Sequence, residues 1–95
     1  GAKYYDLMLS KFEEVPFPDR NWYALVAYNM GPGAVDQIQK RISAQGKDPN
    51  NWVNLYSYLD GHKTQNSRYR QAVQYVTRIR SYLEYIKNTP QLVNI

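Results

Sequence analysis

Residues 22–28 read Trp-Tyr-Ala-Leu-Val-Ala-Tyr, and Asn29, Met30 and the break Gly31-Pro32-Gly33 follow directly. A helix here is apolar around its whole circumference, so it has no face suited to water and must be wrapped by other elements. Its end is equally constrained. Pro32 biases the residue before it away from the helical conformation, and the flanking glycines remove side chains that would hinder a sharp turn. A chain built on this segment has to supply several covering helices, which makes all-α packing the expected class. The last turn adds a second demand: an Asn side chain buried there needs hydrogen-bond partners, and two glycines let another molecule approach the backbone. Residues 28–33 are therefore the first place to look for a ligand.

Four more helices are readable around this one. Tyr4, Leu7, Met8 and Phe12 recur at helical spacing, predicting a helix over 2–13 that Val15-Pro16-Phe17-Pro18 terminates. Asp19 is placed to cap the central helix, over 20–30. Val35, Ile38 and Ile42 give a third helix its apolar edge, and Gly46 stands where a C-terminal glycine belongs. Lys47-Asp48-Pro49-Asn50 turns the chain into a short fourth helix over 51–59, before a polar loop over 60–66. Ser67 is the expected cap of the longest helix, 68–88, whose stripe is Tyr69, Ala72, Val73, Val76, Ile79, Leu83 and Ile86. Tyr75 and Tyr82 stand off that stripe on a common side. No segment reads as strand, repeat or linker. Residues 1–95 are expected to form one all-α domain of about five helices, or part of one, with a loose tail over 89–95.

Composition narrows the chemistry. Without cysteine the chain has no disulfide, no thiolate nucleophile and no Cys-based metal site, and the lone His62, flanked by Asp60, Gly61 and Lys63 in the expected surface loop, offers no metal cluster. No apolar run approaches the roughly 20 residues of a membrane helix, and Gly1–Asp6 lacks the pattern of a signal peptide. Ten Tyr against two Phe is a bias toward rings with a polar tip, suited to half-wet surfaces, whether of a ligand or of a bundle boundary. Charge is uneven: residues 61–95 carry six cations against Glu84 alone, net +5, while residues 1–60 carry six cations and seven carboxylates, net −1. A basic last helix points to an anionic partner or to a solvated face.

The ordered motifs carry more. Ala27-Tyr28-Asn29-x-Gly31-Pro32-Gly33 resembles the A-Y-N-x-G motif of lytic murein transglycosylases with the goose-type-lysozyme-like SLT fold. Gly1-Ala2-Lys3-Tyr4 is similar to the Gly-Ala-Arg-Tyr start of the preceding helix in that family, and Asp19-Arg20-x-Trp22-Tyr23-Ala24-Leu25 resembles the entry to the motif helix. Gln45-Gly46-x-x-Pro49-x-x-Trp52 and Tyr75-Val76-x-x-Ile79-Arg80-x-Tyr82 look like the membrane-bound F type. The five matches are in order and span nearly the whole chain. Gly31-Pro32-Gly33 departs from the Gly-Tyr-Gly of the F type toward the soluble members, and the loop after Asp60 is shorter.

The resemblance implies the C-terminal half of a lysozyme-like catalytic domain that cleaves the MurNAc–GlcNAc bond of peptidoglycan to leave 1,6-anhydromuramic ends. It implies a peptidoglycan strand as partner, a bacterial cell-envelope location in the periplasm, and neither cofactor nor metal. Tyr28, Asn29, Gly31, Pro32 and Tyr75 are the residues it places against the glycan. The family works with one Glu as acid and base, helped by the substrate's N-acetyl group rather than by a second carboxylate. That Glu belongs to a Glu-Ser motif expected before Gly1, so the catalytic set of this chain is expected to be empty and the chain inactive alone. Of its eight carboxylates, none stands in an apolar run that would hold it protonated. The alternative is a basic helical module for nucleic acid or an acidic protein, with Arg68, Arg70, Arg78 and Arg80 as contacts; their spread around the helix makes nucleic acid the less expected partner. Lastly, the helix over 22–28 is expected to be incompletely covered, and the chain alone to self-associate or to be marginally stable.

Overall fold

The computed structural model describes residues 1–88; the tail expected over 89–95 lies outside them. The central helix α2 (Asp19–Met30) touches each of the other four: α1 (Ala2–Lys11), α3 (Pro32–Ala44), α4 (Trp52–His62) and α5 (Ser67–Asn88). Among the described residues there is no strand. Tyr23, Ala24, Val26 and Ala27 have no accessible surface, and Met8, Val35, Ile38, Leu55, Leu59 and Val76 close around them. The expectation that α2 would be incompletely covered holds on its outer side alone, where Trp22 and Leu25 stay half-buried and Tyr28 exposed, while the rest of 22–28 is the axis of the core. Apolar surface stays open elsewhere, at Tyr4 and Leu7 on α1 and at Tyr82, Leu83 and Ile86 on α5.

α1 and α5 run antiparallel to α2. Gly1 at the start of α1 reaches Tyr28 at the end of α2, and Arg68 at the start of α5 reaches the carbonyl of Met30. The stripe of α5 is buried only through Val76; Leu83 and Ile86 continue it past the end of the core.

Several helix ends differ from the sequence expectation, each for a local reason. α1 stops at Lys11, where Phe12 turns out of the helix and is buried. Asp19 does not cap α2. Its Oδ2 accepts instead from the Trp52 backbone N–H at 3.1 Å, tying the start of α2 to the start of α4. Ser67 does not cap α5 either: Asn66 Oδ1 accepts from the N–H groups of Arg68 and Tyr69. α4 runs on to His62, whose Nδ1 lies 2.8 Å from the Tyr58 carbonyl and whose ring stacks on Tyr58, so the expected loop shrinks by three residues from 60–66. Gly46 behaves as expected, with φ 78° and the paired closing bonds from its own N–H to Ser43 and from Lys47 to Ile42 that fasten a helix terminus.

The α1–α2 connection, which contains a cis Phe17–Pro18 bond, is braced by the Arg20 side chain. Arg20 donates from Nε to the Val15 carbonyl and from Nη2 to the Glu13 carbonyl, and lies over the Phe17 ring. Charged donors on backbone carbonyls are among the stronger hydrogen bonds, which is how a segment with two prolines keeps a fixed path.

Candidate functional site

Four of the five residues singled out from sequence share one turn. The helical repeat that sends Tyr23, Val26, Ala27 and Met30 inward leaves Asn21, Leu25, Tyr28 and Asn29 on the opposite side of α2. Tyr28 and Asn29 are exposed, which corrects the expectation of a buried Asn. Tyr28 Oη accepts from the Gly1 nitrogen at 2.9 Å, and its ring meets Tyr4 edge-on at 5.4 Å. The Asn29 side chain makes no hydrogen bond among the described residues. An amide with two donors and an acceptor, fixed at a helix end and unused, is free to recognise a hydroxyl or another amide.

The turn itself is rigidly placed. Gly31 adopts φ 92° and ψ 145°, a conformation side chains rarely take, while its N–H closes on the Ala27 carbonyl at 2.7 Å. Pro32 then opens α3 in its first turn, where a missing N–H costs nothing. The Arg68 guanidinium donates to the Met30 carbonyl, placing a cation at the negative end of α2.

Tyr75, the fifth residue, is not in that turn. It is half-buried on α5 beside Tyr5 of α1, whose hydroxyl is raised above its ordinary range by burial first and then by the proximity of Tyr75 and Asp6. Tyr5 in turn donates to Asn21 Oδ1 at 3.4 Å. Tyr5 and Asn21 therefore join α1 to α2 on the side of α2 that carries Tyr28 and Asn29. Sequence reasoning passed over both: Tyr5 lies outside the apolar stripe of α1, and Asn21 is an ordinary polar residue in a first turn.

The other matched segment, 45–52, is a latch rather than a site. Tyr23 Oη donates to the Pro49 carbonyl at 2.7 Å, and Gln39 Nε2 donates to the same carbonyl and to Asn50 Oδ1. Trp52 stacks on Trp22 with ring centres 5.7 Å apart and packs against Tyr23 and Tyr56.

No carboxylate among the described residues is buried. Asp19 and Asp60, the two that are half-buried, are engaged, one by the Trp52 N–H and the other by Lys63 at 2.8 Å. Neither has the dry, unpaired surroundings that a general acid requires. No group of three metal-ligating side chains forms among the described residues, and none of their helices is long and apolar enough to cross a membrane. Two cavities lie elsewhere, on another side of α5 from the Tyr75 position, and neither is lined by Tyr28 or Asn29.

Comparison with known proteins gives one consistent result. The chain is 34% identical over 98 residues to a membrane-bound lytic murein transglycosylase F of Actinobacillus succinogenes, matching 93% of this chain and 20% of that protein. Proteins of the same description from Shewanella pealeana and Pseudomonas fluorescens are 34% and 33% identical over 100% and 97% of the chain. The chain spans about a fifth of the length of these relatives. No family model and no solved structure matches it.

Proposed function

We propose a function from one premise: this chain is a relative of the membrane-bound lytic murein transglycosylase F proteins, aligned with about a fifth of their length. On that premise it is the glycan-contacting, C-terminal part of a lysozyme-like catalytic domain in a protein of the bacterial cell envelope. The domain cleaves peptidoglycan between MurNAc and GlcNAc to leave 1,6-anhydromuramic ends. The observation that carries this reading is the turn at Tyr28-Asn29, in which a tyrosine and an unengaged amide are presented on the outer side of an otherwise buried helix.

Each residue then has a task. Asn29 bonds an N-acetyl or hydroxyl group, Tyr28 orients the sugar or the acid, Gly31 and Pro32 fix the turn, and Tyr75 with Tyr5 borders the contact. The general acid comes from outside these 95 residues, since no carboxylate here has the surroundings for it. Purified sacculi digested with the chain alone are expected to yield no anhydro-muropeptides by mass spectrometry. The full-length protein is expected to yield them, and its Asn29→Ala variant about tenfold less or lower still, the loss of one or two substrate hydrogen bonds. Anhydro products from the chain alone would place the acid among its own eight carboxylates and overturn the assignment.

Self-association of the chain fits a different surface from the one expected, namely the open apolar side chains Leu7, Tyr82, Leu83 and Ile86 rather than α2. Light scattering should give a mass above 11.2 kDa that falls when Leu83 and Ile86 are changed to Lys; a monomer at all concentrations removes the idea.

A further inference from the structure

α5 has a second working face. Its four arginines are divided among three settings: Arg68 is bound to α2, Arg70 and Arg78 line one cavity with Lys63, and Arg80 lines the next. The first cavity, about 650 Å³, has Val73 for a floor and Gln74 between the two arginines, one helical turn from each. Lys63 is held by Asp60, but Arg70 and Arg78 meet no carboxylate among the described residues. The second cavity, about 590 Å³, is walled by the Trp22 and Tyr56 rings and edged by Arg80, Ser81 and Glu84. Thr77 lines both, so the two cavities adjoin along α5 and are taken together as one groove. From Arg70 to Glu84 it follows α5 for about 21 Å at 1.5 Å per residue.

The groove is chemically graded. One end offers two unneutralised guanidinium groups, whose planar forks match carboxylates. The other offers indole and phenol rings with hydroxyl, guanidinium and carboxylate groups around them, the pattern that stacks on a sugar ring and bonds its hydroxyls. Glu84 disfavours a second anion at the aromatic end, so a ligand is read in one direction.

We infer that this groove is a second binding site, separate from the Tyr28–Asn29 turn, for a peptide-bearing saccharide: the sugar rests on Trp22 and Tyr56, and the acidic peptide lies along Arg70 and Arg78. Naming the ligand as a peptidoglycan strand rests on the function proposed above. The site engages the strand through its peptide carboxylates, whereas the turn engages the glycan. Salt weakens the first contact far more than the second.

The test is a ¹⁵N NMR titration of the 95-residue chain with a disaccharide-tripeptide muropeptide. It is repeated with neutral chitotetraose and with a short single-stranded oligonucleotide. The muropeptide is expected to shift the Trp22 indole N–H and the amides of 73–81. In the Arg70→Ala/Arg78→Ala double variant, whose changes are solvent-facing and leave the core amides in place, its affinity is expected to fall tenfold or more. Chitotetraose is expected to move these signals less. Muropeptide shifts confined to Tyr28–Gly31 overturn the second site and leave the proposed function standing. No shift in either place overturns both. An equal response to the oligonucleotide makes the groove a general polyanion surface and overturns the saccharide assignment.

Discussion

Tyr23→Ala is expected to lower folding stability by about 4 kcal/mol, the cost of emptying a large aromatic site in a close-packed core. The ring has no accessible surface and packs against Phe12 and Trp52, so no solvent or mobile neighbour is on hand to refill the space. Its hydroxyl also donates to the Pro49 carbonyl, the acceptor that Gln39 shares. A domain of this size has a total stability of about 5–15 kcal/mol, so the variant loses a large part of it, and the melting midpoint should drop by roughly 16–30 °C. Tyr23→Phe keeps the ring and removes only the bond, for about 1–2 kcal/mol. Urea unfolding of the two variants separates the terms. A Phe variant as stable as the parent would mean that the 45–52 segment does not need this latch.

The same tyrosine predicts behaviour in alkali. Burial, then Asp48 and Asp19, raise its hydroxyl well above the ordinary value of 10.0. A phenol whose folded value is raised stays protonated in the native state where the unfolded chain has already ionised. Its contribution is therefore complete below about pH 10 and is lost as pH climbs above that, at up to about 1.4 kcal/mol per pH unit. Tyr23→Phe should flatten that alkaline limb.

The second large effect is at Gly31. A methyl group built there meets nothing within 4 Å, so Gly31→Ala creates no clash. The backbone alone resists it: φ 92° with ψ 145° is close to glycine-only territory, and holding an L-residue there costs about 1–3 kcal/mol. If the residue escapes to negative φ, α3 leaves α2 in another direction and the Met30 carbonyl moves away from Arg68. Gly46→Ala is the control. It sits at φ 78° in a helix-ending turn that Asn also tolerates, so Gly46→Asn should recover part of the loss. At Gly31 no substitution should recover any. Equal losses from Gly31→Ala and Gly46→Ala, with equal rescue by Asn, would show that the Gly31 turn is an ordinary cap.

What could be read from sequence divides by range. Helix count and core stripes follow from periodicity, a local property, and all five helices were legible, as was the closing role of Gly46. Caps were read less well because they depend on competition. Asp19 has the chemistry of a cap, but the Trp52 N–H, distant in sequence, takes its oxygen, and Asn66 wins the start of α5 over Ser67. Exposure of Asn29 was misjudged because an apolar run suggests burial on every side, whereas α2 turns one narrow polar side outward at its end. The Tyr5–Asn21 bond joins α1 to α2, and no local pattern encodes it. The groove on α5 was only half visible: its cations showed in the charge count, but Trp22 and Tyr56 come from other helices.

α5 is 22 residues long and α2, against which it packs, only 12. At 1.5 Å per residue the longer helix outruns the shorter by about 15 Å. Ala72, Val73 and Val76 can leave the helix only when the core itself opens, so their amides report on global unfolding. Beyond Ile79 the described side chains of the helix are exposed, so this end can open without disturbing the buried core. A single continuous helix thus spans two cooperative regimes. In hydrogen exchange one rod should divide into a slow half and a fast half, with the boundary near Ile79, inside the groove.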